Sequence, residues 1–209
     1  MWHVQRFKVV LWLIFLGSLW GIVEVVAGEF LYAHQIPLAS VWLTAWAVFV
    51  LGMGRGVLNK PGSSTVIGIL AVVFKLVNAA PYFCHLLAIF LIGMMFDVFA
   101  TLWITQKQRL SVTIPLSGAV GVVTSRALFA SVGAYIIRYD RWVDGGLPMI
   151  IQHAFVTGAL AAGMAALLVP LGFWMGVHGG EHWQRRPRWS FAVTLVVLIG
   201  VWMWGRLAG

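Results

Sequence analysis

Apolar runs of about 20 residues recur along the chain, parted by short stretches in which charged residues, proline and glycine collect. They cover roughly Val9–Tyr32, Leu38–Met53, Thr65–Asn78, Tyr82–Ile104, Val112–Ile137, Leu147–Trp174 and Ser190–Trp204. A hydrocarbon layer about 30 Å thick takes about 20 helical residues at 1.5 Å each, so each run reads as a membrane helix. The third and seventh are short, and the fourth and sixth are long enough to tilt. The expected fold is all-α: a polytopic membrane helix bundle of six to seven transmembrane helices. It forms a single integral membrane domain over residues 1–209, with a six-helix core at about 9–176 and an additional C-terminal helix at about 190–206. No stretch between runs is long enough to fold by itself, so any chemistry belongs to the bundle or its turns.

Composition sharpens this picture. The chain is 61% hydrophobic and 10% charged, which excludes an ordinary soluble domain. A formal charge of +8 would point to nucleic acid in a soluble protein. Here it maps onto alternate turns, and no nucleic-acid partner is expected. Arg6, Lys8, Arg55, Lys60, Lys107, Arg109, Arg185, Arg186 and Arg188 fall on one side, whereas Arg138, Arg141 and Arg206 fall on the other, offset by Asp140 and Asp144. Cytoplasmic loops collect Lys and Arg, which predicts a cytoplasmic N-terminus. The first run is too long for a signal-peptide core and reads as a retained helix. Cys84 is the only cysteine, so an internal disulfide and a CxxC metal or haem motif are excluded.

Ionisable residues inside apolar runs are costly and mark sites by default. Gly17, Gly21, Glu24 and Gly28 share one stripe of the first helix, and Gly68, Ala71, Lys75 and Asn78 share one of the third. Glu24 and Lys75 fall at similar depth in the outer half, with Glu29 nearer the surface. A mutual pair is the cheapest way to bury both, either as structure or as part of a ligand site. Asp97 lies in the inner half of the fourth helix and Arg126 near the middle of the fifth. An Asp97–Arg126 structural ion pair would neutralise both; the alternative is that Arg126 meets a ligand carboxylate or phosphate. His34, His85 and His153 map to outer helix ends, where convergence would make a metal or polar-ligand site, although HExxH spacing is lacking. His178 and His182 read as members of a solvated basic loop. Trp142 and Trp174 fall near helix ends as interfacial anchors.

Taken together, LWLIFLGSLWGIVEVVAGEFLY, the outer IPLAS turn, the basic KPGSS turn, the GILAVVFK helix and the AIFLIGMMFDV helix resemble the substrate-binding S subunits of energy-coupling factor transporters. The resemblance covers about residues 9–170. It implies a subunit of a bacterial cytoplasmic (inner) membrane that captures a vitamin-like micronutrient in an outward pocket, without catalysis or a cofactor. The implied partners are a transmembrane coupling subunit and ATPase subunits, since this chain has no Walker motif of its own. Gly17 and Gly21 would then be the partner-docking stripe. Substrate would meet Glu24, Glu29, Lys75, Asn78, Tyr82, His85, Arg126 and His153. The seventh run has no counterpart in the usual six helices, and the Met1-Trp2-His3 start departs from the Met-His start of the metal-importing branch. Two other classes fit the same residues: a stand-alone proton-coupled carrier using Glu24 and Lys75, and a membrane haem or metal redox protein using the three outer histidines.

Overall fold

The computed structural model describes residues 2–78, 82–104, 111–185 and 187–208, and the side chains there apart from those of residues 2–6, 141, 181–191, 193 and 208. Its helices are α1 (Trp2–Ala33), α2 (Ala39–Leu58), α3 (Ser63–Asn78), α4 (Phe83–Trp103), α5 (Thr113–Ser131), α6 (Asp140–Ile151), α7 (Gly158–Arg185) and α8 (Pro187–Ala208). π-helical turns at Val132–Ile136 and Gln152–Thr157 extend α5 and join α6 to α7. Five segments are long and apolar enough to cross a membrane, and Ser63–Asn78 and Thr194–Leu207 are shorter apolar helices. The chain is an all-α, multi-pass membrane protein. Its termini lie beyond the sequence-based bounds in two places. α1 begins at Trp2 because nothing in Val4–Lys8 breaks a helix. α2 continues past Met53 to Leu58, drawn into the bundle by Arg55, which is 1% exposed.

The turns follow local chemistry. Asn59, at φ 38°, closes α2 by donating its N–H to Arg55 O, the left-handed cap that Asn tolerates. Pro61 then precedes Gly62, whose φ of 83° only glycine adopts freely, and Ser63 N–H returns to Lys60 O at 3.2 Å. This turn makes α2 antiparallel to α3, and the contacts of Thr65 with Asp97 and of Gly68 with Gly93 set α4 antiparallel to α3 as well. Gly118 packs on Val169 and Gly158 beside Arg126, so α5 and α7 are antiparallel as well.

Small residues set the helix spacing. α2 and α7 form the most extensive contact, with Gly52 against Val169 O, Gly56 against Phe173 O, Gly172 against Phe49 O and Gly176 against Met53 O. Without a hydrophobic force between helices in lipid, such close backbone approach supplies the dispersion contacts that hold them. α1 lies on α3 in the same way: Gly17 faces Leu70 and Gly21 faces the ring of Phe74. This corrects the docking expectation for Gly17 and Gly21, because the stripe is filled by α3 of the same chain and offers no free face to a partner. α8 packs along α1 and α3, with Trp202 Nε1 donating to Ser18 Oγ at 2.9 Å and Arg206 Nη1 donating to Val77 O at 3.1 Å. It leaves an apolar groove of about 470 Å³ beside α1, lined by Ile22, Val26, Val197 and Trp204 among others.

A Cβ at Gly21 would lie 2.6 Å from that of Phe74, whereas one at Gly163 would meet nothing within 4 Å. Gly21→Leu should therefore destabilise the bundle by about 1–3 kcal/mol, the usual cost of overpacking. Gly163→Leu should be tolerated. Equal melting temperatures for the two variants in detergent would remove the α1–α3 seam.

Candidate functional site

Five charged side chains are buried among the described residues: Glu24, Arg55, Lys75, Asp97 and Arg126. They occupy three levels. Toward the end where α3 finishes, Lys75 Nζ donates to Glu24 Oε2 at 3.1 Å, and Trp20 Nε1 donates to Glu24 Oε1 at 3.2 Å. The spacing of four between Trp20 and Glu24 brings indole and carboxylate together on α1. Gly28, one turn further, leaves room beside the Lys75 ammonium. Asn78 donates to Phe74 O at 2.8 Å, while its buried Oδ1 has no hydrogen-bond partner. His85 lies within electrostatic reach of both Lys75 and Glu24. Its ring stacks on Tyr32 with centroids 5.1 Å apart and meets Tyr82 edge-on at 5.9 Å. Tyr82 is 77% exposed, at the rim of this group. Glu29 is exposed on α1 and takes part in none of the described hydrogen bonds or ion pairs.

At the other end Asp97 pairs with Arg55, not with Arg126. Arg55 Nη2 also donates to Asp97 O at 2.9 Å and to Thr101 Oγ1 at 2.5 Å. Asp97 Oδ2 accepts from Thr65 N–H at 3.2 Å and Thr65 Oγ1 at 2.8 Å. The expected Asp97–Arg126 bridge is thus corrected. Because α5 runs antiparallel to α7, Arg126 lies toward the start of α2 at Ser40, while Asp97 faces the finish of α2 at Arg55. A recess of about 330 Å³ adjoins this cluster, lined by Gly62, Thr65, Asp97, Val98, Thr101 and Leu102.

Arg126 forms the third level. Its Nη2 donates to Ser40 O at 3.0 Å and Thr44 Oγ1 at 3.1 Å, and its Nη1 donates to Thr157 Oγ1 at 3.4 Å. Both hydroxyls spend their own protons on carbonyls one helical turn back, Thr44 on Ser40 O and Thr157 on His153 O. The guanidinium therefore meets only neutral acceptors, and its buried Nε has no hydrogen-bond partner. Tyr32 lies within electrostatic reach of Arg126 as well as stacking on His85, so this level and that of Lys75 share a wall. One turn further along α5, Phe129 joins Trp142 and His153 in a ring cluster with centroids 5.0–5.8 Å apart. Trp142 is packed into this cluster and buried. His34, exposed, donates from Nδ1 to Phe30 O at 2.9 Å. The three outer histidines thus sit in separate settings, and no three metal-ligating side chains gather among the described residues. Lys107, Arg109 and Arg186 lie outside the described residues, as do the side chains of His182, Arg185 and Arg188.

Sequence reading overlooked Arg55, Thr65, Thr101, Thr44, Thr157 and Tyr32. Only two carried a signal. Arg55 sits in Gly54-Arg-Gly56, where glycines mark close packing, and Thr101 follows Asp97 by one helical turn.

No family model, curated protein or solved structure matches the chain.

Stranding one member of a buried ion pair costs about 3–5 kcal/mol. Asp97→Asn and Arg55→Gln should each destabilise by that order, with the double variant recovering part of the loss. Asp97→Asn combined with Arg126→Gln should be additive to within about 0.5 kcal/mol, as for sites without shared partners. Denaturation in detergent measures both cycles, and coupling of Asp97 to Arg126 in place of Arg55 would reverse the pairing.

Proposed function

We propose that this chain is the substrate-capture subunit of a micronutrient importer in a bacterial cytoplasmic membrane, with its N-terminus cytoplasmic and a separate ATP-driven module to energise it. The observation that carries the reading is the convergence of polar groups from α1, α3 and α4 at one end of the bundle. Glu24, Lys75 and His85 come together there beside the aromatic walls of Tyr32 and Tyr82, with Asn78 one turn beyond Lys75 on α3. Apolar and aromatic walls with a few convergent polar groups suit a ring-bearing ligand with polar edges. Asn78 Oδ1 gives the group a buried acceptor with no partner inside the protein. Capture itself involves no bond making. The resemblance of residues 9–170 to the S subunits adds the expectation of a coupling subunit and ATPases. With Gly17 and Gly21 covered by α3, that coupling partner would meet another face of the bundle.

A stand-alone proton-coupled carrier is favoured by one feature, the direct Glu24–Lys75 bond. A proton on Glu24 would release the ammonium to a substrate or to water. Uptake into proteoliposomes containing this chain alone would favour the carrier, and uptake only with a co-purified ATPase module would favour capture.

Native mass spectrometry of the purified protein should detect a bound small molecule. Lys75→Ala alone strands the buried Glu24 carboxylate, so it is combined with Glu24→Gln; the double variant should lower the affinity more than tenfold, about 1.4 kcal/mol, while the bundle stays folded. Undiminished occupancy in that double variant would rule out a pocket built on Lys75.

A further inference from the structure

The five buried charges do not cancel. Glu24 takes Lys75 and Asp97 takes Arg55, which leaves Arg126 without a counter-charge among the described residues. A bare Nε alone would say little, since Arg55 has one too. The difference is that Arg55 touches a carboxylate and Arg126 touches none. Arg126 is only 4% exposed, so solvent does not stand in for the missing anion. Three of its five N–H donors are engaged, all by neutral oxygens, and the two left over include Nε. These two N–H groups lie on different edges of the guanidinium, and either one, on a group that stays charged, suits an oxygen of a carboxylate or phosphate.

A second observation points to the same spot. Two π-helical turns, Val132–Ile136 and Gln152–Thr157, lie at this end, and the second supplies Thr157 to Arg126. Such turns are rare and frequently mark functional sites, because the extra residue breaks the regular ladder. Gly146, at φ 55° and ψ −158°, kinks α6 just before it, and Trp142 of α6 covers Gly133 on the first turn. The segment over Arg126 is therefore irregular in its helical hydrogen bonding.

Resting on the capture reading, we propose that Arg126 is the anion-recognition group of this bundle, taking the carboxylate or phosphate of its ligand, with Thr44 and Thr157 fixing the guanidinium plane. A ligand of the expected kind would then carry an acidic group on one side, toward Arg126, and a ring toward Tyr32 and His85.

The test is thermal unfolding of the full chain in a neutral detergent with potassium phosphate, succinate or acetate against potassium chloride at matched ionic strength. A parallel arm compares nanodiscs of zwitterionic lipid with nanodiscs containing phosphatidylglycerol. The wild type should gain melting temperature saturably with at least one soluble anion, and Arg126→Gln should lose that gain. Arg126→Lys keeps the charge without the planar guanidinium and its Nε–H, and should weaken the anion response at least tenfold in midpoint concentration; it also serves if Arg126→Gln does not fold. Thr44→Val should weaken the response in the same direction. A response confined to phosphatidylglycerol and dependent on Arg126 would make a lipid headgroup the source of the anion. No response in any arm, or a response in the Arg126 variants equal to that of the wild type, would overturn the proposal. So would a co-purified ligand without an acidic group, and in that case the capture reading would stand while the anion site fell.

Discussion

Burying five ionisable side chains in a bundle that faces hydrocarbon is the constraint on which the remaining architecture turns. A charge at membrane depth costs about 2.5–3.5 kcal/mol even on insertion scales, and the cost rises if a partner is lost. Two carboxylates stand against three cations here, so helix adjacency is governed by which cation reaches which carboxylate. α1 must lie on α3 for Glu24 to meet Lys75. α2 must cross near the start of α3 and the finish of α4 for Arg55 to reach Asp97, Thr65 and Thr101.

Glycines make those adjacencies physically attainable. Gly17 and Gly21 let α3 approach α1 closely enough for a 3.1 Å bond between Glu24 and Lys75, and Gly68 and Gly93 do the same between α3 and α4 one level lower. Charge pairing and small-residue packing are thus one device seen from two sides. Dispersion between close backbones offsets the desolvation of the ions, and the ions fix the register that a smooth apolar interface would leave undetermined.

How much of this was legible in the sequence follows from what each signal encodes. Run lengths and breaks gave the helices, because hydrophobic length is fixed by the bilayer. Glu24 and Lys75 could be matched because both lie on small-residue stripes at similar depth, Lys75 as the lone charge of its run and Glu29 nearer the surface than Glu24. Asp97 could not be matched correctly. Arg55 stands where the second apolar run fades and resembles a loop residue, while Arg126 is the conspicuous arginine inside a run. Periodicity gives the face of a helix but not its neighbour. The partners of Arg126 were hidden for another reason: a carbonyl at Ser40 and two threonine hydroxyls leave no mark that separates them from other backbone and side-chain oxygens. The π-helical turns were equally silent, since one added residue barely alters an apolar pattern.

α8 has a consequence for how the molecule is made. Trp202 and Ser18 are 184 residues apart, and their hydrogen bond ties the last helix to the first. A ribosome delivers α1 to the membrane long before Trp202 exists. The Ser18 hydroxyl must spend that interval bonded to its own helix backbone or to whatever chaperones nascent segments in the bilayer. Completion of this part of the α1 surface therefore waits until α8 has been made, and a chain cut short before Trp202 would leave Ser18 without that donor.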